Sequence, residues 1–202
     1  MLTLSLAASS IFAYQAAPSV QVEPYMQAAH VMVASKLVDD KSPGGWATSE
    51  NLPVDLNGES KENRFVLRSG NTGCRGSLGD TLLYVLNYSP ETIWFSAQDS
   101  RIDIIREAKN KEGNWKPIEY LMQSTCGNSW HRVALGSRQY WRVSLGRDKG
   151  SVTTQVRFRL NQNGNAIYSE PYTTQISANA FTLPKEYQKY KFSEDGVLAF
   201  RP

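Results

Sequence analysis

The chain has 202 residues, with 22 Lys+Arg against 19 Asp+Glu and a formal net charge of +3. Hydrophobic residues make up 41% and charged residues 20%, near the globular average, which excludes a disordered acidic tail, a collagen-like repeat and a low-complexity linker. Two His and two Cys are too few for most metal and multi-cysteine scaffolds, and a chain of this length buries roughly 70% of its unfolded surface without staples.

The first 22 residues carry no charged side chain, and Leu2 to Ala13 is a short apolar run rich in small residues. A secretory signal joins an apolar stretch of about 7–15 residues to a small-residue cleavage site. Residues 1–17 therefore read as a signal-peptide remnant without its basic n-region; the competing reading is a docked or disordered apolar N-terminus. The first reading implies a secreted or periplasmic protein. No run approaches the roughly 18 apolar residues of a membrane span, so no integral span is expected.

Residues 18–60 read as an N-terminal strand and an arm. Ala28, Ala29 and Ala34 favour a helix, whereas His30 to Ala34 suits a strand. Asp39 to Gly45 is a cluster of chain breakers, and Asn57-Gly58 signals a turn.

From residue 64 the pattern changes. Short apolar or alternating runs cover 64–69, 81–88, 92–97, 102–107, 115–120, 130–135, 139–145, 152–160, 166–169 and 172–176. Turn residues separate them, among them Asp99-Ser100, Glu112-Gly113-Asn114 and Asn163-Gly164. Regular short strands with such punctuation indicate a sandwich or barrel. In 152–160, Val152, Thr154, Val156, Phe158 and Leu160 share one face, with Thr153, Gln155, Arg157 and Arg159 opposite, the alternation of a half-buried strand. Trp141, Val143 and Leu145 likewise oppose Tyr140, Arg142 and Ser144. Thr81 to Leu86 is apolar on both faces and reads as a central strand. Pro184 to Tyr190 suits a short helix, since Pro is tolerated in a first turn. The expected fold is all-β: an Ig-like antiparallel β-sandwich over 61–181, with a C-terminal tail over 182–202.

Cys74 and Cys126 both lie in turn-rich segments. A disulfide between them would close a loop of about 50 residues, worth roughly 4 kcal/mol in the chain-entropy model, and suits an oxidising compartment; the alternative is two unpaired turn cysteines.

The most pointed local motif is Cys126-Gly127-Asn128-Ser129-Trp130-His131. A thiol needs a base to act near neutral pH, and His131 lies five residues on. Papain-like enzymes carry a Cys-Gly-x-Cys-Trp pattern in which the second Cys attacks, and here Ser129 holds that place. A thiol-dependent hydrolase or transferase using Cys126 and His131 is thus an alternative reading, and a structural cell-envelope component is another. Cys74, Cys126, His131 and His30 lack zinc-site spacing. Asp99, Asp103 and Glu107 fall on one strand face, which suits calcium less well than ion pairing with neighbouring Arg and Lys. No metal and no cofactor is expected, because phosphate-loop, dinucleotide and nucleophile-elbow motifs are lacking. Asn87-Tyr88-Ser89 fits a glycosylation acceptor by chance. Arg138, Arg142, Arg147, Lys149, Arg157 and Arg159 read as a solvated sheet face, and no nucleic-acid partner is expected.

Trp46, Trp94, Trp115, Trp130 and Trp141 are a generous aromatic set, each able to anchor a core layer or an exposed platform. The candidate surface patch is Trp115, Trp130, His131 and Tyr140, on a non-catalytic module that binds a protein or glycan partner.

Glu107-Ala108, Gly113 to Tyr120, Cys126 to His131 and Tyr140-Trp141 together resemble an uncharacterised family of secreted bacterial proteins. The similarity spans roughly residues 74–181. It implies an extracytoplasmic, non-catalytic β-sandwich and assigns no activity or site residue.

Overall fold

The computed structural model describes residues 24–39, 44–45, 49–58, 62, 64–71 and 79–199. The signal-peptide reading of 1–17 and the breaker residues 40–43 lie outside them, as do Trp46 and Cys74.

The protein is all-β, with no α-helix among the described residues. The strands are β1 (Gln27–Ala28), β2 (Val54–Asp55), β3 (Phe65–Asn71), β4 (Thr81–Asn87), β5 (Ile93–Gln98), β6 (Arg101–Ile102), β7 (Ile104–Lys109) and β8 (Trp115–Pro117). They continue with β9 (Glu119–Met122), β10 (Trp130–Leu135), β11 (Gln139–Ser144), β12 (Val152–Gln162), β13 (Asn165–Tyr168), β14 (Tyr172–Ile176), β15 (Lys191–Phe192) and β16 (Val197–Ala199). Four sheets result, ordered β2-β11-β4-β3, β10-β5-β6, β13-β12-β7-β8 with β14 also on β12, and β1-β9-β16-β15.

The strand faces follow side-chain alternation. Val156, Phe158 and Leu160 of β12 are buried, while Thr153 and Gln155 opposite are exposed. The solvated face expected to include Arg157 and Arg159 ends there, since Arg157 is half-buried and Arg159 is buried against Glu107 and Asp195. Strand β4, apolar on both faces, is interior to its sheet, between β11 and β3. The main core draws Leu83, Val85, Trp141 and Val143 from one sheet, Phe95 and Leu135 from a second, and Phe158 and Leu160 from a third. Trp141 is fully buried. Its indole N–H donates to the Ala34 carbonyl at 2.8 Å, and its ring meets Phe95 edge-on at 5.4 Å. Asn163 and Gly164 both take positive φ, the geometry of a two-residue hairpin, and Gln162 pairs with Asn165 across it.

Three local expectations change. The run over 102–107 breaks at Asp103, so that Ile102 serves the β5 sheet and Ile104 the β12 sheet. The run over 115–120 splits at Ile118, whose N–H donates to the Arg106 carbonyl; β8 stays with β7 and β9 joins another sheet. The helix expected over 184–190 is a single 3₁₀ turn, Lys185–Tyr187.

Both ends of the described chain are structural. Met26, Ala29, Val31 and Val33 are at most 2% exposed, and β1 runs parallel to β9. Residues 191–199 supply β15 and β16, and β16 also runs parallel to β9. These two parallel pairings arise because the chain ends reach β9 from distant sequence, not through hairpins.

Candidate functional site

The β7–β8 hairpin is built by its turn. The Asn110 side-chain oxygen accepts the Asn114 N–H at 2.8 Å, and Gly113 takes φ +80°, a conformation that favours glycine. This turn presents Lys109, Lys111, Glu112 and Lys116 beside a cavity of about 450 Å³, within the usual range of small-ligand sites. The walls are apolar: Met26, Pro117, Val152, Phe181 and Phe192. They come from the N-terminal segment, the hairpin, the start of β12, the segment after β14, and β15. Lys111, Glu112 and Lys116 are exposed and Lys109 is half-buried, so charge lies at the mouth and apolar surface within. Three lysines against one glutamate make that mouth positive.

Ser177 is the buried polar residue of the wall among the described residues. Its hydroxyl donates to the Pro24 carbonyl and accepts the Asn179 N–H.

A second cavity, of about 280 Å³, is lined by Pro24, Tyr25 and Gln27 of the N-terminal segment and includes Arg106, Arg147, Asp148 and Lys149. Arg106 pairs with Glu119 at 2.6 Å and with Asp148. Burial penalises the charged guanidinium, but the two carboxylates outweigh that penalty and shift it upward. Thr81 donates to the other oxygen of Asp148. The phenol of Tyr172 is also raised, by burial first and then by the charge of Asp148. Desolvated charges held in pairs are a structural device here.

The four expected patch residues occupy three sheets, and all are half-buried. Trp115, on β8, has the Arg157 guanidinium 4.3 Å from its ring centre and the Lys109 ammonium at 5.4 Å. Arg157 also lies 3.9 Å from the Tyr168 ring centre and donates twice to Glu107 at 2.8–2.9 Å. The Trp115 surface that a sugar would stack on is therefore engaged by the protein's own cations. Trp130 and His131 are neighbours on β10. The Trp130 indole donates to the Ser124 carbonyl, and His131 Nδ1 is 3.4 Å from the Ser129 carbonyl oxygen. Gly45, at φ +98°, packs so close that a Cβ would fall 2.5 Å from that ring. Tyr140 lies on β11, with its ring 6.3 Å from Tyr84.

Cys126 is exposed and joined to no other cysteine among the described residues, and the expected Cys74–Cys126 disulfide lies outside them because Cys74 does. The Cys126 backbone N–H donates to the Ser124 hydroxyl. Among the described residues no hydrogen bond joins it to His131, and no group of His, Cys, Asp and Glu could hold a metal ion. Asn87 is fully buried and its amide donates to the Glu91, Leu135 and Gly136 carbonyls, so it is closed to a glycan. No helix of the described residues is long and apolar enough to cross a membrane.

Sequence reasoning missed the cavity. The charged hairpin was legible as a turn, but Met26, Phe181 and Phe192 are far from it in sequence and carry no motif. Comparison with family models, with curated proteins and with solved structures finds no match to this chain.

Proposed function

We propose that this chain is a non-catalytic, exported binding module on an Ig-like β-sandwich. Its recognition site is the cavity beside the β7–β8 hairpin, and its ligand combines apolar surface with negative charge. The observation that carries this reading is the cavity of about 450 Å³ with apolar walls and lysines at its mouth. Shared core residues from three sheets support the sandwich. A glycan partner on Trp115 is the weaker reading, because cations already sit against that ring.

The test uses 1-anilinonaphthalene-8-sulfonate, an apolar ring system with one anionic group. One dye should bind per native chain with blue-shifted emission, and Val152→Phe, which fills the cavity, should abolish binding while the chain keeps its circular dichroism. Equal binding by a folded V152F would overturn the site. Export has its own check. Intact mass after alkylation, with and without reduction, on natively exported protein should show loss of the first residues; retention of Met1 would remove the export reading.

A further inference from the structure

We infer that the cavity beside the β7–β8 hairpin is a site for a free fatty acid, a single alkyl chain ending in a carboxylate. This rests on the reading of that cavity as the recognition site. Three observations narrow the ligand.

The first is the wall. Met26, Pro117, Val152, Ala178, Phe181 and Phe192 offer no hydrogen-bonding side chain. The Asn110 side-chain oxygen, also in the lining, already accepts the Asn114 N–H, and the Ser177 hydroxyl is already both donor and acceptor. A peptide or polar ring would bury amide or hydroxyl groups without partners, at about 1–3 kcal/mol each. An alkyl chain has none to bury.

The second is the volume. A cavity of 450 Å³ takes about fifteen groups of water-molecule size, at about 30 Å³ each. That is room for one alkyl chain of medium to long length.

The third is the charge at the mouth. Lys111 and Lys116 are exposed, and neither forms an ion pair among the described residues. Their ammonium groups are compact point charges on long flexible stems. They can close on a carboxylate while the stems cover the upper part of the chain. Lys109 stays against the Trp115 ring, leaving the head group to the other two.

The experiment is titration calorimetry of the full chain with octanoate, decanoate and dodecanoate below their micelle concentrations, with dodecanol and dodecyltrimethylammonium as controls. Affinity should rise about fourfold per added methylene, the equivalent of about 0.8 kcal/mol. Dodecanoate should bind more tightly than dodecanol, and the cationic control least of all. Lys111→Glu with Lys116→Glu should erase the preference for carboxylate over alcohol, with dodecanol affinity falling less than dodecanoate affinity; both positions are exposed, so folding is preserved. Affinity independent of chain length, or equal affinity for the anion and the cation, would overturn the inference. If the sulfonate dye binds as expected and no carboxylate does, the fatty acid falls and the cavity stands; if neither binds, both fall.

Discussion

The interior around Trp141 and the cavity beside the β7–β8 hairpin use similar apolar side chains but are closed differently. Around Trp141, residues from three sheets meet one another and are at most 3% exposed. Each strand turns its alternate side chains inward, and the indole N–H finds a carbonyl. At the cavity the walls come from the margins of two sheets and from irregular chain: Pro117 and Val152 from the β13-β12-β7-β8 sheet, Phe192 from β15 at the edge of another, and Met26 and Phe181 from outside the strands. Regular strand pairing fills the first region. Among the described residues nothing equivalent fills the second, and charged side chains flank its opening. Substitutions in the first region should therefore act on stability, and those at the cavity mouth on binding.

The largest expected effect is Trp141→Ala. It should cost about 3–5 kcal/mol in urea unfolding and weaken ligand binding only through loss of folded protein. A cost under 1 kcal/mol would show that the central core is not the cooperative centre of the fold. Next comes Glu107→Ala. Glu107 is 4% exposed and faces Arg157 at 2.8 Å and Arg159 at 3.4 Å. Removing it leaves Arg159 buried with Asp195, an expected loss of about 3 kcal/mol that denaturant midpoints would read. Asn87→Ala removes the amide that serves three carbonyls; the loss should be about 2 kcal/mol, visible as a lower Tm.

Asp103 gives a smaller effect of opposite sign. Burial raises its carboxyl above the ordinary value of 3.8, with Arg101 opposing. A raised folded value means that the ionised form costs stability at neutral pH, and that the cost disappears as pH falls below the unfolded value. Asp103→Asn should raise Tm near neutral pH, and the gain should shrink toward zero below the unfolded value. A gain that persists there would place the cause outside the charge. The smallest stability change, within about 0.5 kcal/mol, belongs to the Lys111→Glu and Lys116→Glu pair. If that pair destabilised the chain as Trp141→Ala does, the contrast between the two regions would collapse.

Much of the strand pattern was legible because it depends on local alternation. Strands β10 and β14 have the expected bounds, and β12 extends its run by two residues. The places where reading failed share a cause. Asp103 interrupts a run that looks continuous, because its backbone carbonyl accepts the Asn161 N–H while the chain passes between sheets. Ile118 divides another run where the chain passes from β8 to β9, its N–H donating to the Arg106 carbonyl. Of the expected patch, Trp130 and His131 are neighbours by virtue of one strand, but Tyr140 and Trp115 are assigned to other sheets by pairings that no local pattern encodes.

By itself the sequence determined the all-β class, the apolar faces of β4, β11 and β12, and the turn chemistry of the Asn163-Gly164 and Glu112-Gly113-Asn114 loops. These follow from side-chain period two and from glycine's freedom at positive φ. Only the tertiary structure decided which strands share a sheet, that residues 24–33 and 191–199 flank β9, and that Met26, Val152, Phe181 and Phe192 enclose a cavity under the lysines of the β7–β8 hairpin. The physical reason is that burial is non-local. An apolar side chain near either end of the chain has the same preference for leaving water as one in the core, and only the packed fold sets which surface it meets.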